Sequence, residues 1–254
     1  MTRKNIIEER YLYKNASEPF YLSVSKGTVR GHSYVHKFGA NLDIDPGADP
    51  ESIWTAGGLY PWSSLTTAQT LYAISDSSSD TDILTIQGLD SNYNLIEEEV
   101  TMTGTTAVTT TNQFLRVYRM IYNHSEVNDG TVTVRVNSDT GTVVAQIDEG
   151  KAQTLMAVYT VPANHSAYLL CLDASLNKGE DGSIHLYQRP FNKSFKIAHM
   201  AEIYEDSYRY DFAVPLKFTE KTDIDLRIDE VETNNTRCTA NFDLLLVNEN
   251  NLSS

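Results

Sequence analysis

A chain of 254 residues with 41% hydrophobic content can bury a sizeable core, and its length suits one large all-β domain or two small ones. Twenty basic residues against 34 acids give a formal charge of −14, which argues against a phosphate-backbone binder, because such binding is driven by clustered cations. Nucleic acid is therefore not an expected partner, and a solvated acidic surface is the simplest reading of the charge.

No run approaches the length of a membrane span, so no membrane partner is expected. The opening MTRKNIIEERYLYKN turns acidic at Glu8 and Glu9 where a signal peptide would become apolar. Cys171 and Cys238 both fall in strand-like runs, which favours two small buried thiols and leaves a disulfide open.

Residues 1–50 read as an irregular N-terminal arm followed by a long loop. Short apolar patches at Ile6-Ile7 and Phe20 to Val24 are separated by charged and glycine-bearing sequence, and Arg30 to Asp49 shows no sustained period. Next comes SIWTAGGLYPW, which gathers Trp54, Tyr60 and Trp62 around two glycines and a proline. A loop folded over the core by its aromatics is the favoured reading; an exposed platform on which a sugar or partner stacks is the alternative.

From there the chain is a succession of strand-like runs. The first half offers Thr70 to Ser75, Ile83 to Gln87, Leu95 to Thr103, Phe114 to Tyr122, Thr131 to Val136 and Val143 to Ile147. Ser/Asp runs, GLDSNYN and Asn128-Asp129-Gly130 punctuate them with turn chemistry. The second half offers Thr154 to Val161, Ala167 to Asp173, Ser183 to Gln188, Phe195 to Tyr204 and Tyr208 to Phe218. In the last of these Pro215 removes a ladder donor, so the strand is expected on an edge or bulged. The stretch Thr222 to Val247 reads as a long hairpin. Ile224, Leu226 and Ile228 alternate with Asp225, Arg227 and Asp229, and Cys238 to Leu246 keep the same parity after a turn. About a dozen strands without helices predict an all-β, antiparallel β-sandwich over residues 51–254, jelly-roll-like, with a division into two lobes near residue 161 left open.

Chemistry is sparse. Asp43, Asp45 and Asp49 surround Gly47 with alternate oxygens, the raw material of a Ca²⁺ loop, but Pro46, Pro50 and the lack of a long twelfth-position ligand depart from the EF-hand pattern. A plain acidic turn is the favoured reading and no other cofactor is indicated. His32 and His36 have helical ligand spacing in non-helical sequence, which argues against zinc. Glu97 and Glu99 share one face of a strand, which fits an exposed acidic strand better than a glycosidase pair drawn from two elements. No GxSxG, P-loop or GxGxxG sequence is present, so no enzyme is expected.

The stretch ILTIQGLDSNYNLIEEEVTMTGTTAVTTTNQFLRVYRM resembles a group of tailed-bacteriophage virion structural proteins. They carry a "GLDxNYN…E.VTL.GTTAVTT…FLRVxRM" segment followed by "G.VTV" and "A.YTVPA…AYL". The equivalents here are Gly88 to Met120, Gly130 to Val136 and Ala157 to Leu169. The resemblance implies a non-enzymatic virion component: a multimeric capsid decoration protein or a neck or tail accessory protein, with homo-oligomeric and other virion partners. It brings no catalytic residues. The alternative is a receptor- or glycan-binding module of a phage tail or fibre, with Trp54, Tyr60 and Trp62 as its surface.

Overall fold

The computed structural model describes residues 18–251, except 48, 124, 125, 178, 205 and 206. Residues 1–17 of the expected arm lie outside the described residues. The remainder is all-β, with a six-residue helix α1 (Phe20–Ser25) before the first strand. The strands are β1 (His32–Ile44), β2 (Glu51–Ser52), β3 (Tyr72–Ser75), β4 (Ile83–Leu89), β5 (Leu95–Thr101), β6 (Val108–Thr109), β7 (Arg116–Asn123) and β8 (Val132–Arg135). Then come β9 (Val143–Ile147), β10 (Val158–Thr160), β11 (His165–Leu176), β12 (Gly182–Arg189), β13 (Lys196–Ile203), β14 (Ser207–Phe218), β15 (Asp223–Val231) and β16 (Thr236–Asn248). No helix among the described residues is long and apolar enough to cross a membrane.

Among the described residues all pairing is antiparallel, and it makes four sheets. Two of them, β1-β16-β11-β14 and β10-β15-β12-β13, share one apolar core. The other two, β6-β3-β8-β9 and β5-β4-β7, share a second core built almost entirely from Trp54 to Met156. The second core is thus an insertion within the first. It enters and leaves in the middle of one strand: β2 pairs with β15 at Arg227 and Ile228, while β10 pairs with the same strand at Asp223 to Asp225. Between them Ala157 donates its backbone N–H to the Ile53 carbonyl at 2.8 Å, and Trp54 bridges Met156. The two short pieces lie end to end along β15 as one interrupted strand. Counting that composite strand once, the outer unit has strands one to eight in the sheet orders 1-8-3-6 and 2-7-4-5.

Two expectations from the sequence are corrected. Most of the segment expected as a long loop between Arg30 and Asp49 is β1, paired with β16 from His32 to Ile44. Gly39 punctuates nothing there. It lets the strand cross close to the interrupted strand, where a Cβ would lie 2.2 Å from the Ile53 oxygen and 2.5 Å from the Ala157 nitrogen. The expected hairpin of Thr222 to Val247 has the right parity and the wrong partners. Ile224, Leu226 and Ile228 face the core on β15, and Cys238, Ala240, Phe242, Leu244 and Leu246 face the same core on β16, but the strands belong to opposite sheets. Both cysteines are free and buried. Burial pushes each thiol up to about 12, with Asp243 adding to the shift at Cys171.

Candidate functional site

The most elaborate constellation of side chains lies where the inserted unit meets β15. Asp223 and Asp225 sit at alternate positions of that strand, on the face opposite the apolar core residues, and both are buried. Sequence alone makes this a water-facing side; instead the inserted unit covers it. Arg116, carried on β7, donates to Asp223 from Nε at 2.9 Å and from its second nitrogen at 3.2 Å. Arg189 of β12 donates to the same carboxylate at 2.9 and 2.7 Å, and the Thr160 hydroxyl adds a fifth bond at 2.6 Å. Asp225 accepts from Trp62 Nε1 and Arg227 Nε, each at 2.8 Å. Burial pushes the Asp225 carboxyl above its usual value, while Arg227 and Trp62 oppose that rise.

Aromatic rings and cations alternate through the same seam. Arg227 lies over Tyr187 and Phe195, Arg189 over Phe195 and Trp62, Arg116 over Trp62 and Tyr93, and Lys221 over Tyr93 and Phe191, all with the cation 4.3–5.8 Å from the ring centroid. Desolvated contacts of this kind contribute about 0.5–2 kcal/mol each. Every carboxylate here is matched by a guanidinium, and no nucleophile is presented. The chemistry of the seam is therefore fixation: it holds the insertion in one orientation on the outer unit.

Of the two readings of the aromatic stretch, the favoured loop folded over the core describes the placement and the alternative platform does not. Trp54, Tyr60 and Trp62 are all buried in the inserted core, packed edge to face in sequence, with ring centroids 5.1 and 4.7 Å apart. Trp54 Nε1 donates to the Gly58 carbonyl at 2.9 Å and Tyr60 Oη to the Val117 carbonyl at 3.2 Å, so the polar ends of the rings are satisfied internally. No ring face is left for a sugar. Nor are the three aspartates of the alternative Ca²⁺ reading brought together. Asp45 accepts the Asn235 backbone N–H at 3.0 Å, Asp43 closes the end of β1 beside Asn41, and among the described residues no group of three or more metal-ligating side chains is assembled anywhere. Glu97 and Glu99 are exposed on β5, and Glu97 is engaged by Gln87 at 2.6 Å.

A different surface stands out at the opposite side of the outer unit. β13 and β14 are each one end strand of its two sheets, β1 and the interrupted strand being the other ends, and the expected edge position of the Pro215 strand is found. The register along β14 breaks there: Leu169 pairs with Leu216 and Cys171 with Asp211, so residues 212–215 bulge outward opposite a single residue of β11. Val214 stands 82% exposed on that bulge. Met200 on β13 is 56% exposed, and Tyr204 after β13 and Tyr210 on β14 are exposed as well. His199 ties the two edges together, its Nε2 2.9 Å from the Tyr208 hydroxyl and its ring against Tyr210 and Phe212. Isolated exposed apolar groups are ordinary; several on two adjoining unpaired edges mark a contact surface.

No known protein family matches the sequence, and no curated protein matches it either. Among solved structures, the chain is similar to the exported protein XepA of PBSX, at 11% identity, covering 83% of this chain and 84% of that one with a TM-score of 0.20. It is also similar to the VP2 subviral particle of infectious bursal disease virus, at 8% identity over 92% of this chain and 79% of that one, TM-score 0.24. The T=1 particles derived from that virus give 11% identity over 92% and 76%, TM-score 0.21. Likeness at this level does not extend to function. What the fold itself defines is an all-β protein of antiparallel sheets with one unit inserted into another.

Proposed function

We propose that the protein is a non-enzymatic structural component of a tailed-phage virion, a multimeric capsid decoration protein or a neck or tail accessory protein, which assembles with copies of itself and with other virion proteins. The outer unit is read as a jelly-roll sandwich, and the observation that carries the proposal is its strand order. The orders 1-8-3-6 and 2-7-4-5 are those of a chain folded as a double Greek key, an architecture that recurs in capsid shells. Because one architecture serves many functions, two further features support the reading. The segments that resemble phage virion proteins fall on load-bearing parts of the structure: Gly88 to Met120 on the strands of the inserted core, and Ala157 to Leu169 on the re-entry into the outer unit. The apolar β13–β14 edge offers the surface through which copies meet. Quantitative mass spectrometry of purified particles tests the proposal. Recovery at a fixed stoichiometry is expected, with hundreds of copies pointing to decoration and a dozen or fewer to a neck or tail. Recovery from the lysate but never from particles would refute it.

A further inference from the structure

A cleft of about 350 Å³ opens between β1 of the outer unit and strands β4, β5 and β7 of the insertion, within the range of small-ligand pockets and at the kind of junction where they form. Ser33, Tyr34, Lys37, Gln87, Tyr118 and Arg119 are among its lining residues. Lys37 is the unusual member. It is 2% exposed, a rare placement for a lysine, and the Tyr118 backbone carbonyl is the acceptor of its side-chain amine. Arg119 donates to the His36 carbonyl at 2.9 Å. Neither cation is within ion-pair distance of a carboxylate among the described residues, although the protein as a whole carries a charge of −14. The neighbouring acids have other partners. Asp243 takes hydrogen bonds from Tyr34, at 2.5 Å, and from His36 and Cys171, while Glu97 is held by Gln87.

Buried cations are normally matched by an anion, because an unmatched one costs several kcal/mol of desolvation. Here the protein supplies the Arg119 guanidinium, the Lys37 amine, which burial holds well below the ordinary lysine range and which a bound anion would recharge, two tyrosine rings and short polar side chains around open space, and withholds the anion. We propose that the cleft binds a small carboxylate-bearing sugar, its carboxylate between Lys37 and Arg119 and its ring against Tyr34 and Tyr118. Aromatic faces pack on the apolar face of a pyranose, Ser33 and Gln87 offer hydrogen bonds to its hydroxyls, and the guanidinium of Arg119 is suited to a carboxylate's two oxygens. This site is separate from the apolar edge and does not depend on the virion proposal.

Calorimetric titration of the full chain with glucuronate, glucose and inorganic phosphate tests it, alongside Lys37→Met and Arg119→Gln. Glucuronate is expected to bind, glucose is not, and each variant should weaken glucuronate by roughly tenfold or more, the equivalent of one lost charge-assisted hydrogen bond. Thermal melts establish that the variants fold; Arg119 is only partly buried, so its variant keeps the test open if the Lys37 change disturbs folding. Absence of glucuronate binding, or folded variants that both bind glucuronate as tightly as the wild type, overturns the proposal. So does glucose binding as tightly as glucuronate, which would remove the carboxylate. Phosphate binding as tightly would remove the sugar.

Discussion

Replacing Asp223 by asparagine should be among the most damaging single changes of one side-chain group in this protein. The carboxylate takes five hydrogen bonds, four of them from the guanidinium groups of Arg116 and Arg189. An amide offers one acceptor oxygen and turns an NH₂ toward a cluster of donors. The two arginines respond differently: the Arg189 side chain is 25% exposed and can recover water, whereas that of Arg116 is 6% exposed and cannot. Breaking a buried ion pair on one side costs about 3–5 kcal/mol. Taking about 4 kcal/mol, the melting midpoint of a chain this long should fall by roughly 8–16 °C. Equilibrium urea unfolding followed by tryptophan emission suits the measurement, because Trp62 hydrogen-bonds the neighbouring Asp225 and reports on the seam. A cycle with Arg116→Gln should show a coupling of at least about 2 kcal/mol, since the double variant leaves no buried charge unpaired at that contact. A loss under about 1 kcal/mol for Asp223→Asn, or strictly additive single changes, would refute the claim that this pair fixes the insertion.

Two further outcomes concern the packing of β1. Lys37→Met should leave the fold as stable as wild type or more so, because burial, reinforced by Arg119, holds the Lys37 amine well below the ordinary lysine range. The unfolded chain then binds more protons than the folded one, so stability should rise as pH climbs from the depressed folded value toward about 10.4, and the variant should lose that rise; a wild-type and variant pair with parallel stability curves above neutral pH would contradict it. Gly39→Ala should destabilise by about 3 kcal/mol, because the added methyl meets two backbone atoms and no flexible side chain; a melting midpoint within a degree of wild type would show that β1 can move away from the interrupted strand.

Much of the architecture could be read from residue order. Strand positions and the parity of Ile224, Leu226 and Ile228 follow from period-two alternation, and Pro215 places β14 on an edge because proline cannot donate into a ladder. Pairing could not be read in the same way. A strand alternating apolar and charged residues looks the same whether its second face meets water or a second core, and Asp225 and Arg227 are charged residues of the latter kind. Gly39 misled for a related reason: a glycine that admits a neighbouring backbone is indistinguishable in sequence from one that makes a turn. The interrupted strand was invisible because Glu51–Ser52 is too short to register as a strand, and its continuity with Val158–Thr160, which lies in the expected Thr154 to Val161 run, exists only through β15. The aromatic triad showed its composition but not which way its rings turned. Lys37 lies in no motif, and Arg119, although within the FLRVYRM stretch, carries no sign there of a partner 82 residues away; the insertion itself brings the two together.

That the insertion begins and ends at one hydrogen-bonded pair, Ile53 and Ala157, has an evolutionary meaning. To the outer unit the whole inserted segment is topologically a loop whose two ends are already adjacent, and the entropy of closing such a loop grows only slowly with its length. The inserted unit can therefore lengthen, shrink or be exchanged for another module without shifting the register of a single outer strand. The outer unit is a socket: a gap in one strand holds the insertion, and the entropy of closing that gap sets little limit on the length of what is displayed there.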